Sequence, residues 1–212
     1  YVLTMVPFIL GFIGAAVLAA AITPKILERA LVRGWLDYPS PLKIHANPVA
    51  RLGGVALFAA FWVIALGAYF FTDTIDYLPK HFWVVFVGSL IVFAGGVFDD
   101  LRNLQPWQKL IIQIFAAGVL VAGGLGIPFL RLPFGLHLDL ETLNIPVFTV
   151  NGTMYTLTLW SDVFTVFWIV LLINTINFLD GLDGLAAGVT FIAATVIFLL
   201  STSLGHPATA FL

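Results

Sequence analysis

Apolar residues run nearly unbroken through six stretches, roughly 2–22, 53–71, 82–98, 109–127, 160–178 and 186–204, and polar residues gather between them. An α-helix needs about 20 apolar residues to cross the hydrocarbon of a bilayer. A chain in lipid must satisfy its backbone groups within each segment, which leaves helices as the spanning element. The pattern predicts an all-α, polytopic integral membrane protein with about six transmembrane helices. Residues 128–159 read differently. PFLRLPFGLHLDLETLNIPVF and GTMYTLTLW alternate as short strands around Asn151-Gly152, a two-residue turn signal. A small external β-hairpin on the bilayer surface is expected there, with an irregular loop as the alternative.

Composition sharpens this picture. The chain is 61% hydrophobic and 9% charged, with a mean hydropathy of +1.07, whereas a soluble domain carries about 25% charged residues. The net charge of −2 shows no basic excess, so nucleic acid is not an expected partner. The absence of cysteine excludes disulfides and thiolate metal sites. Residues 1–22 are too long for a secretory signal and lack its cleavage-site flank, so they read as a retained span. The chain opens on Tyr1 and stops at Leu212 just after an apolar segment. We read residues 1–212 as one transmembrane domain, the N-terminal piece of a longer protein.

Lys and Arg set the expected sidedness. Lys25, Arg29, Arg33, Lys43, Arg51, Arg102 and Lys109 fall in loops 23–52 and 99–109, on the face shared with loop 179–185; only Lys80 and Arg131 fall on the other. The positive-inside rule makes the first face cytoplasmic and places the N-terminus outside.

Three cytoplasmic stretches carry candidate chemistry. In GGVFDDLRNLQPWQKL, Asp99 and Asp100 sit at the inner end of a span, where carboxylates are costly beside lipid. They could coordinate Mg²⁺ or act as a base, and Lys109 could meet a diphosphate. A solvated acidic turn with a snorkelling lysine is the plainer reading. In NTINFLDGLDGLAAGV, Asn174, Asn177, Asp180 and Asp183 step by three, each step falling about 60° short of a full helical turn. Gly181 and Gly184 predict a helix break that turns these groups toward a shared site. Capping of the next helix by Asp180 or Asp183 is the alternative. In KIHANPVARLGGV, Lys43, His45 and Arg51 precede a glycine-opened helix, a setting for an anion. Positive-inside topology alone would also explain them.

Together, KxHxxPxxRxGG, FDDLxxLxPWxKLxxQ and NxxNFLDGLDGLAAG, in this order, resemble the polyprenyl-phosphate N-acetylhexosamine-1-phosphate transferases, of the glycosyltransferase family 4 type. The nearest branch looks like the bacterial undecaprenyl-phosphate GlcNAc-1-phosphate transferases. The sister phospho-MurNAc-pentapeptide transferases share the second and third motifs. They usually carry a TPTMGG-like stretch where this chain has PVARLGG, so Arg51 favours the first branch. The resemblance implies transfer of a sugar-1-phosphate from a UDP-sugar to undecaprenyl phosphate, with release of UMP, Mg²⁺ (or Mn²⁺) as cofactor, and a site on the cytoplasmic face of the bacterial inner membrane.

It also implies roles. Asp99 or Asp100 would deprotonate or orient the lipid phosphate, with either carboxylate near the metal, and Lys109 would contact the diphosphate. Asn177 would approach the metal. Asp180 and Asp183 would hold the nucleotide-sugar, with Asn174 supporting the broken helix. Lys43, His45 and Arg51 would be peripheral contacts to the anionic substrate. The family carries two further cytoplasmic loops that this sequence lacks, so the piece by itself is expected to be inactive. A homodimer is compatible with all of this. An ion-coupled transporter is the competing class, but it calls for carboxylates near mid-span, and the midplanes of the six stretches carry no charge.

Overall fold

The computed structural model describes residues 2–38, 47–71, 79–150, 153–181 and 184–205. Six α-helices occupy the six apolar segments: α1 (Val2–Arg33), α2 (Gly53–Phe71), α3 (Pro79–Arg102), α4 (Pro106–Ala122), α5 (Leu159–Leu179) and α6 (Leu185–Ser203). Among the described residues, five of them are long and apolar enough to cross a membrane. The sixth, α4, has 17 residues, or about 25 Å of helix against ~30 Å of hydrocarbon. It begins at Pro106, a favoured first helical residue, and Gln108 Oε1 accepts from the Gln105 N–H at 2.8 Å. It stops before the expected end at 127 because Gly123 and Gly124 turn the chain, Gly124 with a φ of +92°.

α1 departs from its expected end at 22 and continues to Arg33. Pro24 lies inside it and cannot donate to the preceding turn, and the Thr23 hydroxyl donates to the Ala19 carbonyl at 2.7 Å beside the gap. The extension carries Lys25, Glu28, Arg29 and Arg33 beyond the apolar run. Gly34, at φ +69°, closes the helix. A two-residue strap follows: β1 (Leu36–Asp37) pairs antiparallel with β2 (Val49–Ala50) just before α2.

Neighbouring helices run antiparallel and meet through small residues, which lets backbones approach where lipid gives no hydrophobic drive between helices. Ala30, Ala56, Ala60, Ala65, Ala116 and Ala117 are the buried alanines of this core. Between α2 and α3 the contact is aromatic: Phe58 stacks on Phe93 at 4.0 Å, Tyr69 on Phe82 at 4.6 Å, and Trp62 meets Phe82 edge-on at 5.6 Å. α6 reaches α1 through Phe8–Phe198 and Phe12–Phe191.

The connection from α4 to α5 holds the remaining strands. β3 (Phe129–Arg131) pairs with β4 (His137–Asp139), and β5 (Asn144–Val150) with β6 (Thr153–Thr158), both antiparallel. The expected hairpin is therefore present, with Val150 opposite Thr153, although Asn151 and Gly152 themselves lie outside the described residues. Its ladder shifts register between Pro146 and Phe148, where proline has no N–H to give. Ile127 anchors the connection to α5: its N–H donates to Thr165 Oγ1 and its carbonyl accepts from Ser161 Oγ, both at 2.9 Å.

Candidate active site

The antiparallel packing brings the C-terminal ends of α3 and α5 and the N-terminal ends of α2 and α4 to one end of the bundle. Sequence periodicity then decides which side chains meet. On α3, Gly88, Gly95 and Asp99 lie seven and four residues apart, on one face. A Cβ at Gly88 would sit 2.8 Å from Leu120, and one at Gly95 would sit 2.6 Å from Ile112, so this glycine face presses directly on α4. One turn beyond Gly95 the same face presents Asp99, and one turn before Gln113 the facing side of α4 presents Lys109. They form an ion pair, Lys109 Nζ to Asp99 Oδ2, at 2.7 Å. Asp99 Oδ1 accepts the Leu104 N–H at 3.0 Å, within the tight turn where Asn103 takes φ +50°.

Asp100 points about 100° further round the helix, toward the strap. Its Oδ2 accepts the Leu52 N–H at 3.0 Å. Leu52 is buried with a φ of +71°, a strained conformation for a bulky residue that persists only when its surroundings enforce it. Arg51 supplies that enforcement. Its guanidinium donates to Asp37 Oδ1 (2.7 Å), to the Asp100 carbonyl (2.7 Å) and to Asn103 Oδ1 (2.8 Å), and its backbone N–H donates to the Trp35 carbonyl. The residue thus staples the strap to the end of α3.

The third stretch reaches the same end by α5. Asn174 Nδ2 donates to Gln113 Oε1 at 2.6 Å, an amide contact between α5 and α4. Asn177 and Asp180 follow at the exposed end of α5. The expected helix break is present: α5 ends at Leu179, and Gly184 precedes α6 with φ +78°. Gly184 takes the N-cap position of α6, so Asp180 is not its N-cap residue, and Asp183 lies outside the described residues. Asp180 sits instead at the C-terminal end of α5, where a negative charge opposes the helix dipole.

Asp99, Asp100, Lys109 and Arg51 are therefore brought into one bonded cluster, and Asn174, Asn177 and Asp180 share its end of the bundle. Lys43, His45 and Asp183 lie outside the described residues. Gln113 closes the motif FDDLxxLxPWxKLxxQ but was given no role, and Asp37, Leu52 and Asn103 were not singled out from sequence. Gln113 had a readable signal, an amide within an apolar run. The other three show their part only once the chain folds back on itself.

Among the described residues no group of three or more His, Cys, Asp and Glu side chains gathers. The oxygen donors present are still of the hard type that Mg²⁺ takes, and Mg²⁺ is commonly held by one or two carboxylates completed by substrate phosphates and water. Asp99 and Asp100 are donors of that type, here bonded to Lys109 and the Leu104 N–H and to the Leu52 N–H respectively.

The sequence profile of glycosyl transferase family 4 matches residues 82–212. The chain is 31% identical over 201 residues to a probable undecaprenyl-phosphate N-acetylglucosaminyl 1-phosphate transferase of Bacillus subtilis, covering 95% of this chain and 50% of that protein. It is 30% and 32% identical to decaprenyl-phosphate N-acetylglucosaminephosphotransferases of Mycobacterium tuberculosis and Mycolicibacterium smegmatis, each covering 90% of this chain and 44% of the relative. The chain thus spans about half the length of the curated relatives it matches. No solved structure matches it. With the profile covering both the carboxylate pair and the Asn-Asp stretch, this polytopic membrane chain belongs to glycosyl transferase family 4.

Proposed function

We propose that this protein transfers a sugar-1-phosphate, GlcNAc-1-phosphate in the simplest reading, from a UDP-sugar to undecaprenyl phosphate and releases UMP. One observation carries the proposal: polar stretches far apart in sequence converge on one end of an otherwise apolar bundle, with Asp99 paired to Lys109 and the adjacent Asp100 bonded to the Leu52 N–H. A lipid phosphate and a water-soluble nucleotide can meet only at such an end. Beside it, an apolar cleft of about 570 Å³ opens between α2, α3, α4 and α5, from Gly54 next to the strap inward past Phe58, Phe93, Leu120 and Ile173. That is a fitting bed for a prenyl chain whose phosphate lies at the carboxylates. The names of the relatives supply the acceptor class and the sugar.

In the reaction, an oxygen of the lipid phosphate attacks the phosphorus bonded to the sugar. A new P–O bond forms, the bond to the UMP oxygen breaks, and the sugar-1-phosphate moves to the lipid. Asp99 or Asp100 takes or orients the proton of the lipid phosphate. Lys109, paired with Asp99, offsets charge on the diphosphate. Asp180 and Asp183 hold the nucleotide-sugar, Lys43 and His45 border the anionic substrate, and Arg51 supports the site from behind through Asp37, the Asp100 carbonyl and Asn103. Mg²⁺, held by Asp99, Asp100 and the Asn177 amide oxygen, would neutralise the diphosphate oxygens. The excess of Lys and Arg at this end supports a cytoplasmic site, with the N-terminus outside a bacterial inner membrane.

The test is UMP release by the purified full-length protein in lipid nanodiscs with undecaprenyl phosphate and Mg²⁺. UDP-GlcNAc and UDP-MurNAc-pentapeptide are supplied in parallel. Turnover with UDP-GlcNAc is expected. Turnover with the pentapeptide donor alone would move the protein to the sister activity, and turnover with neither would overturn the proposal.

A further inference from the structure

We infer that Gln113 and Asn174 form an intramembrane amide clasp that fixes the register of α5 against α4, making Asn174 a positioning residue rather than a substrate contact. The inference rests on the transferase reading for its effect on rate, though not for its effect on structure. The clasp is reciprocal. Asn174 Nδ2 donates to Gln113 Oε1 at 2.6 Å, and Gln113 Nε2 approaches Asn174 Oδ1 at 3.5 Å. The second Asn174 amide hydrogen goes to the Val170 carbonyl at 2.8 Å. Gln113 is 7% exposed and the neighbouring Ala116 and Ala117 are buried, which lets α5 close on this face. Among the described residues no buried side-chain nitrogen or oxygen lacks a partner.

Depth makes the pairing obligatory. Gln113 lies seven residues inside the start of α4 and Asn174 five inside the end of α5, about 10 and 8 Å by helical rise. Water does not reach helix faces packed together at that depth, so each amide depends on the other. The flanking surfaces cannot set the register themselves. α5 is apolar nearly all round, and lipid tails are as apolar as leucine, so rotating or sliding the helix changes little in packing. At the site end of α5 the Gln113–Asn174 pair breaks that degeneracy, as one buried Asn does in a coiled coil, while Ser161 and Thr165 bond Ile127 at the opposite end.

The clasp is also placed to matter. Lys109 stands one turn before Gln113 on α4, and Asn177 one turn beyond Asn174 on α5. A one-residue slip of α5 would move Asn177 and Asp180 by about 1.5 Å along the axis and 100° around it, relative to the Asp99–Lys109 pair.

The test uses Asn174→Leu, Gln113→Leu, the double leucine variant, and the swap Gln113→Asn with Asn174→Gln, all in the full-length protein. Each single change is expected to lower kcat about ten- to a hundred-fold with little change in donor KM, the scale of an ångström-level misplacement. The double variant should be no worse than either single one, because both remove the same contact. The swap should recover most of the rate. Since the chain has no cysteine, a pair introduced at Ala117 and Val170, one turn from the clasp on each helix, reports register without any turnover. It should cross-link in the parent and lose that cross-link with Asn174→Leu. Loss of activity with Asn174→Leu alone, Gln113→Leu remaining as active as the parent, would show that Asn174 acts on substrate. Unchanged cross-linking in both leucine variants would show that the clasp does not set the register. If the protein is no transferase, the rates are silent and the cross-link alone decides.

Discussion

Arg51 offers the sharpest test of how this site is built. Its place in a basic loop suits an anion contact, yet in the structure its guanidinium is committed to Asp37, the Asp100 carbonyl and Asn103, at 2.7, 2.7 and 2.8 Å. Replacing it by alanine removes all three bonds. A hydrogen bond involving a charged group contributes about 1.5–3 kcal/mol when desolvated, and an exposed ion pair about 0–1 kcal/mol. The Arg51 and Asp37 side chains retain 21% and 26% of their exposure, so each bond belongs toward the lower end. Their joint loss amounts to about 2–4 kcal/mol, since bonds sharing one group are not additive. At ~2–4 °C per kcal/mol for a chain of this size, Arg51→Ala should melt roughly 4–16 °C lower. It should also lower kcat, because Leu52, next in the chain, presents the N–H that holds Asp100. Arg51→Lys keeps the charge without the fork and should fall between. Melting of the detergent-solubilised protein, followed by size-exclusion, and steady-state kinetics against the UDP-sugar would read both effects. An unchanged melting temperature with a donor KM raised tenfold or more would refute the staple and make Arg51 a direct substrate contact.

Further outcomes follow from the same geometry. Asp100→Asn and Asp183→Asn should each cut transfer by about 10²–10⁴-fold, the range lost with a general base or its equivalent, while membrane insertion is unaffected; near-parental activity in both would sink the site assignment. Lys109→Met keeps the stem but leaves Asp99 without its ammonium, and should reduce kcat by about 10²–10³-fold, with little recovery from raised Mg²⁺. Gly95→Ala places a Cβ 2.6 Å from Ile112; it should destabilise by about 1–3 kcal/mol and slow transfer by prying Asp99 from Lys109. Gly96→Ala meets nothing within 4 Å and should be neutral, or stabilising by about 0.5–1 kcal/mol through helix propensity. Equal melting temperatures for the two glycine variants would contradict the close α3–α4 contact.

How much of this was legible beforehand follows from the range of the forces involved. The six apolar runs and the break at Gly181–Gly184 are local: in lipid a segment must satisfy its own backbone, so its composition suffices to make it a helix. The hairpin around Asn151-Gly152 is local too, set by alternation and turn chemistry. Pro24 shows a limit of local reading, since a proline near the expected boundary did not end α1. The second half of α1 stays helical to Gly34, whose left-handed φ lets the chain leave the helix. The three motifs likewise singled out Asp99, Asp100, Lys109, Arg51 and Asn174, but not their company. Sequence spacing could not show that Arg51 bonds Asp37, Asp100 and Asn103 instead of standing open, because those partners lie 14 to 52 residues away. Nor could it show that Asn174 faces Gln113, 61 residues distant, rather than a ligand. Apolar helices in lipid have many nearly equivalent ways to pack. Which polar groups meet is decided only when the glycine face of α3 closes on α4 and the few buried amides and charges find one another.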